Sequence, residues 1–293
     1  IANSDYNFMR DKMTGLQRLN LKEVESIGEN GRYEIPREAF RGKSTLVKCI
    51  FPDRLEKIDD AAFSGTALAG TILLPEGLKY VSGFDQTKIT RIEFPSTLEE
   101  IGNGAFKHCT SLMYQILLPE SLRKIGEEAF SFSAISGSLL LPHNLEIIGK
   151  SAFYNCSNLS GSLVIPDRVI EIPHSSFYGV FSRCGFNGTL TLPSGLKKIG
   201  DYAFSNANFK GELNIPDGVE VIGSEAFYGT DFNGTLVLPS ELLSLGSWAF
   251  SSCWRLSGVV ELPENIISVP TGVFSGCSQV EKVVLHKGIE VIE

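Results

Sequence analysis

An α/β solenoid is the fold this sequence predicts: a stack of about eleven coils sharing one long parallel β-sheet, joined by short helical or 3₁₀ turns. Three observations carry the prediction. Prolines at 52, 75, 95, 119, 142, 166, 193, 216, 239 and 263 each close a short apolar run, and His286 fills the next slot of the series. Eleven of the 19 phenylalanines, at 40, 63, 84, 106, 130, 153, 177, 204, 227, 250 and 274, form a second ladder in step with the first. The proline intervals, 20 to 27 residues, match the length of a coil that supplies one strand. With 43% hydrophobic and 20% charged residues the chain is globular in composition, which excludes a disordered or collagenous polymer.

One coil, residues 161–186, shows why each element forms. In GSLVIP, Leu163 and Ile165 alternate with Ser162 and Val164, the pattern of a half-buried strand. Pro166 has no N–H to donate and ends the pairing, after which DRVIEI turns the chain back with Val169 and Ile172 facing inward. The segment that follows reads IG-x-x-AF-x-x-C-x-x-L in its regular copies, as in Ile148, Gly149, Ala152, Phe153, Cys156 and Leu159. Its spacings of three and four predict about two turns of helix or 3₁₀ helix. A glycine then turns the corner into the next strand, at Gly70, Gly137, Gly161, Gly188, Gly211, Gly234 and Gly258. One coil has too little apolar surface to offset its ordering entropy, so identical slots must stack in register at about 4.8 Å per coil.

The ladders start late. Residues 1–34 carry none and are read as an N-terminal cap, with the solenoid over residues 35–293. Two coils are irregular: residues 82–90 are shortened, and FYGVFSRCGF at 177–186 carries about three extra residues. The last coil, KGIEVIE, stops where IG-x-x-AF would follow, an open edge suited to end-to-end self-association.

Chemistry has few candidates. A formal charge of −8 without a block of like charges argues against nucleic acid, and no apolar run approaches the length of a membrane span. Cys109, Cys156, Cys253 and Cys277 occupy the slot three after the ladder phenylalanine, where other coils place Thr66, Ser133, Ala207 and Thr230. A slot shared with such residues asks for a small buried side chain, which a free thiol satisfies. Cys253 with Cys277, and Cys156 with Cys184, are the pairs that adjacent coils would bring nearest for a disulfide. His108, His143, His174 and His286 fall in different slots, so no nucleophile and base pair with one another and no metal, cofactor or catalytic site is predicted. Glu127, Glu128 and Asp201 read as charges at helix starts, and of the four sequons, at Asn155, Asn158, Asn187 and Asn233, the Asn-Gly pairs at Asn187 and Asn233 read as corners.

The outward strand slot is the informative one. It runs Ile50, Leu73, Glu93, Leu117, Leu140, Val164, Thr191, Asn214, Val237, Glu261 and Val284, and seven of these eleven are apolar where water should be. A neighbouring outward slot, including Lys48, Thr71, Arg91 and Gln115, is polar or basic. An apolar row between polar rows marks a recognition surface, although Val, Ile and Leu also suit any strand. The candidate ligand face is Ile50, Leu73, Arg91, Glu93, Gln115, Leu117, Leu140 and Val164.

The repeat, in LPESLRKIGEEAFSF (118–132) and IPDGVEVIGSEAFYG (215–229), resembles the BspA-like bacterial leucine-rich repeats. The resemblance implies a right-handed leucine-rich repeat superhelix on a secreted or cell-surface bacterial protein. It also implies adhesion or binding of a host protein, while the residues themselves read as a non-enzymatic binding protein whose sheet face, the Ile50 to Val164 row, contacts a protein, a host extracellular protein included, or a glycan. The competing reading is a structural spacer or stalk that presents another module.

Overall fold

The computed structural model describes residues 2–23, 33–176 and 178–293. Within them the chain winds as a parallel solenoid in which each coil presents two strand tracks and a track of turns. The first track precedes the prolines. Lys48–Ile50 pairs in parallel with Arg18–Asn20, Ala69–Leu73 with Lys88–Glu93, Leu163–Val164 with Leu190–Thr191, and Gly234–Thr235, Leu256–Glu261 and Gln279–Val284 follow one another. The second track, after the proline turn, is a set of two-residue strands that the sequence pattern marked only as a change of direction. Glu34–Ile35, Lys57–Ile58, Tyr80–Val81, Glu100–Ile101, Lys124–Ile125 and Ile147–Ile148 form one six-stranded parallel sheet, and Glu171–Ile172, Lys198–Ile199, Val221–Ile222 and Ser244–Leu245 a four-stranded one. In each pair one residue is buried and the other faces solvent, too short an alternation to register as a period.

The third track is built on i→i−3 bonds of the 3₁₀ type that do not merge into a helix among the described residues. Around Phe40, Ala39, Arg41 and Lys43 donate to Pro36, Glu38 and Phe40 within the coil, while Phe40 and Gly42 donate to Ala62 and Ser64 of the next coil. Alternate N–H groups thus serve the turn and the stack. Left-handed residues make the alternation possible: they recur two positions before and two after most ladder phenylalanines, as at Glu128 and Phe132 around Phe130 and at Tyr202 and Asn206 around Phe204. Glu128 and Asp201 therefore do not start helices. Glu128 pairs with Lys107 at 2.5 Å, and Asp201 accepts the Ser224 N–H at 2.8 Å, both between coils.

The core is a file of phenylalanine rings. Phe40, Phe63, Phe84, Phe106, Phe130, Phe153, Phe181, Phe204, Phe227, Phe250 and Phe274 stack with neighbouring centroids 5.3–6.0 Å apart and planes within 18°. In the seventh coil the ring belongs to Phe181, which corrects the expected Phe177; Phe177 itself lies outside the described residues. The backbone agrees, since Phe153 N–H donates to Val180 and Phe181 N–H to Ala203, the same bond that Phe130 makes to Ala152. The extra residues of this coil therefore precede its aromatic slot, and Cys184 falls three after it, in the small-residue slot.

Burial explains that slot. The Sγ–H groups of Cys109, Cys156, Cys184, Cys253 and Cys277 donate at 3.0–3.1 Å to the carbonyls of Phe84, Phe130, Phe153, Phe227 and Phe250 in the preceding coil. All six cysteines are free thiols, so neither Cys253 with Cys277 nor Cys156 with Cys184 is bridged. Loss of solvation pushes Cys109 up to about 11 and Cys253 up to about 12, well above an ordinary thiol. The glycine of the IG pair has another reason to be small: a Cβ on Gly149 would lie 2.4 Å from the Glu127 nitrogen of the preceding coil. Among the corner glycines, Gly234 has φ +84°, whereas Gly188 is required by the nearness of Ser162.

Before the first regular coil, the helix Asn3–Asp11 places the buried Tyr6 ring edge-on against Phe40 at 5.7 Å. Lys43 reaches from the first coil to its C-terminal end, donating to the carbonyls of Arg10 at 2.9 Å and Met13 at 2.5 Å. Of the segment 1–34, Ile1 and residues 24–32 lie outside the described residues.

Three outcomes follow from this packing. Phe130→Ala, which removes a ring from the middle of the file, is expected to destabilise the fold by about 3–5 kcal/mol in a chemical denaturation curve. Gln86→Gly, at an exposed position with φ +58°, relieves a left-handed side chain and should raise stability by roughly 0.5–1 kcal/mol in the same assay. An aromatic disulfide reagent at mildly alkaline pH should modify the thiols slowly in the native chain and all six rapidly in denaturant; rapid native labelling would contradict their burial.

Candidate binding face

Strand alternation turns the buried residues of the pre-proline track inward and leaves the residues between them on one face of the rod. Register then sets these outward residues side by side: Asn20 beside Ile50, Leu73 beside Glu93, Val164 beside Thr191, Asn214 beside Val237, and Glu261 beside Val284. Ile50, Leu73, Leu117, Leu140, Val164 and Val237 are 41%, 62%, 61%, 63%, 59% and 68% exposed, so the row faces water as its slot requires. Val284 is half-buried.

Polar contacts divide the row. Arg91 pairs with Glu93 at 3.0 Å, and its guanidinium lies 4.6 Å from the centroid of the Tyr114 ring. That group of three separates Ile50 and Leu73 from Leu117, Leu140 and Val164. Gln115 is half-buried and donates through Nε2 to the Ser138 carbonyl at 3.1 Å, tying together the coils that carry Leu117 and Leu140. The eight predicted residues therefore share one face but form two apolar patches with a neutralised ion pair between them.

The opposite track is different in character. Its outward residues alternate in sign from coil to coil, and the charges meet: Lys79 with Glu99 at 3.6 Å, Lys124 with Glu100 at 2.8 Å, Arg123 with Glu146 at 2.9 Å, Lys198 with Glu171 at 3.2 Å and Lys197 with Glu220 at 3.1 Å. Ile147, Ile170, Leu243 and Ile267 stand exposed among them. A depression of about 630 Å³ between Glu56, Asp60, Tyr80 and Glu99 is polar, and there the Tyr80 hydroxyl donates to Asp60 at 2.8 Å. Burial is the first cause holding the Tyr80 hydroxyl above its ordinary pKa, and the Asp60 carboxylate is the second.

The four histidines lie in different coils and make separate contacts. His108 stacks on Phe132 at 4.8 Å, His143 lies 3.5 Å from Glu120, His174 lies 2.7 Å from Asp201, and His286 contacts the Ile266 carbonyl at 2.9 Å. No group of three or more His, Cys, Asp or Glu is placed to hold a metal ion among the described residues. No described helix is long and apolar enough to cross a membrane.

Three features escaped the sequence reading. A second aromatic file, Phe186, Phe209 and Phe232, runs beside the main one with centroids 4.9 and 5.9 Å apart. Its signal was visible in the near-repeats GFNG, NFKG and DFNG ahead of three successive strands. Exposed Trp248 and Trp254 fall in one coil, with Arg255 4.4 Å over the Trp254 ring. Arg18 and Lys22 bring basic charge to the first end of the pre-proline face from a segment with no repeat to align them.

Comparison with known proteins bears on this geometry. The family model described as "BspA type leucine rich repeat region" matches the chain over residues 12–84, 33–159, 82–180 and 178–293. Among solved structures the chain is similar to the pneumococcal vaccine antigen PcpA, with 22% identity, 96% of this chain and 78% of that chain covered, and a TM-score of 0.56. It is also similar to a leucine-rich repeat protein from Bacteroides ovatus (21% identity, 94% and 83% covered, TM-score 0.48). A leucine rich cell surface protein from Faecalibacterium prausnitzii gives 18% identity, 91% and 87% covered, and a TM-score of 0.44. At these identities the likeness is one of fold. No curated protein matches the sequence.

Proposed function

Because the chain belongs to the BspA-type leucine-rich repeat family, we propose that it is a non-enzymatic binding protein that captures a partner protein on its pre-proline face. One observation carries the reading: outward apolar side chains, exposed by 41–68%, recur in most coils of that face with few charges among them, whereas on the opposite track the exposed Ile147, Ile170, Leu243 and Ile267 stand among paired charges. Contiguous exposed apolar surface flanked by polar groups is what protein interfaces bury. Arg91 and Glu93, already paired to each other, orient a partner more than they attract it, since a satisfied ion pair contributes little net affinity. The family resemblance supports placement on the bacterial surface or in the medium and a role of adhesion type, with residues 1–34 acting as the cap of the solenoid. A spacer would need no chemically distinct face, and the contrast between the two tracks favours a binder.

The test compares faces. The chain, its Leu73→Ser/Leu117→Ser/Leu140→Ser variant and a Lys79→Ser/Glu99→Ser control on the opposite track are immobilised and exposed to serum and extracellular-matrix proteins. Proteins retained by the native chain and by the control, but lost from the triple variant at unchanged melting temperature, are the expected result. Equal retention by all three would remove the face from the proposal.

A further inference from the structure

The pre-proline face opens at its first end. Ala69 N–H donates to the Val47 carbonyl at 3.3 Å, but beyond that bond the two strand pairs part. Lys48–Ile50 is bonded to Arg18–Asn20 on one side and Ala69–Leu73 to Lys88–Glu93 on the other, and no ladder joins the two pairs among the described residues. The gap is a cleft of about 480 Å³, room for a few side chains, with Ile50, Phe51 and Leu73 among its walls and Lys22, Lys48 and Asp53 as its charged groups.

Charge gives the cleft its selectivity. Arg18 lies in register beside Lys48, so Arg18, Lys22 and Lys48 gather at this end of a chain whose formal charge is −8. Among the described residues none of the three makes an ion pair, whereas Lys79, Arg123, Lys124, Lys197 and Lys198 of the opposite track do. Asp53 offsets one of them, and Glu23 follows Lys22 in sequence. A comparable opening of about 360 Å³ on the same face, walled by Val237, Val259 and Leu262, has Glu261 and Glu264 in its wall and Lys282 in register beside Val259, so it lacks the cationic excess of the first.

We propose that the cleft between Lys48–Ile50 and Ala69–Leu73 binds an extended acidic peptide, seating one of its apolar side chains between Ile50 and Leu73 while its carboxylates meet Arg18, Lys22 and Lys48. The strands bordering the gap turn N–H and C=O groups toward it without a ladder, which favours a peptide that can pair with them over an acyl chain that cannot. The inference deepens the reading of this face as the binding face and depends on it for biological purpose, but the cleft is tested separately.

A fluorescein-labelled decapeptide of alternating Glu and Leu is titrated with the full chain and followed by fluorescence anisotropy, with a Lys and Leu decapeptide and phosphatidylserine vesicles as separate arms. Saturable binding of the acidic peptide that weakens with salt and falls at least about tenfold in Lys22→Glu/Lys48→Glu and in Leu73→Ser is expected. Leu117→Ser/Leu140→Ser, which alters the next patch of the row, should leave that affinity unchanged, and circular dichroism melts confirm that each variant folds. Equal binding of both decapeptides, an unaltered affinity in Lys22→Glu/Lys48→Glu, or lysine-dependent binding to vesicles without binding to the peptide would each overturn the proposal. If the peptide is lost from Leu117→Ser/Leu140→Ser instead, the cleft fails and the broader reading of the face stands. If the cleft behaves as expected while the serum capture fails, the broader reading fails and the cleft stands.

Discussion

The structure depends on one bond repeated down the rod: the N–H of each ladder phenylalanine from Phe40 to Phe250 donates to the carbonyl before the aromatic slot of the following coil, as Phe130 does to Ala152. It fixes the vertical register of the third track, and with register fixed the rings lie face to face and the thiols of one coil reach the phenylalanine carbonyls of the last. No coil could keep these groups buried and satisfied alone. Strength in this fold is a property of neighbours.

The same bond determines where the chain can vary. Coil seven keeps both the bond and the ring while holding extra residues ahead of Val180, so the length is absorbed between the second strand track and the aromatic slot. Coil three is short, yet Phe84 still stacks between Phe63 and Phe106 because Gly83 takes the place that alanine fills elsewhere. Departures collect where no stacking partner is lost.

Much of this was legible in the sequence, for identifiable reasons. Large rings at a fixed interval can be satisfied only by stacking, so the file was readable from spacing alone. Phe177 and Phe181 are both phenylalanines of the same coil, and only the backbone bond tells which one fills the aromatic slot. The second strand track was hidden because two residues cannot display a period, and the left-handed positions because Glu128, Phe132 and Trp248 adopt them without a glycine to mark the place. On the candidate face, the exposure of Leu117 and Leu140 followed from alternation. The break in the row at Arg91, Glu93 and Tyr114 did not, since it depends on contacts between side chains that only coordinates bring together. Arg18 and Lys22 were illegible for a simpler reason, lying where no repeat gives a residue its address.

A chain held together by contacts between successive windings responds to tension in steps. Pulling on its ends peels the outermost winding first, and each one released adds roughly 80 Å of slack, from about 23 residues at some 3.4 Å apiece. Windings further in remain intact while the outer ones unreel. A molecule tethered at one end and gripped at the other would lengthen under shear before its inner face was disturbed, yielding as a coiled rope does where a rigid strut would snap.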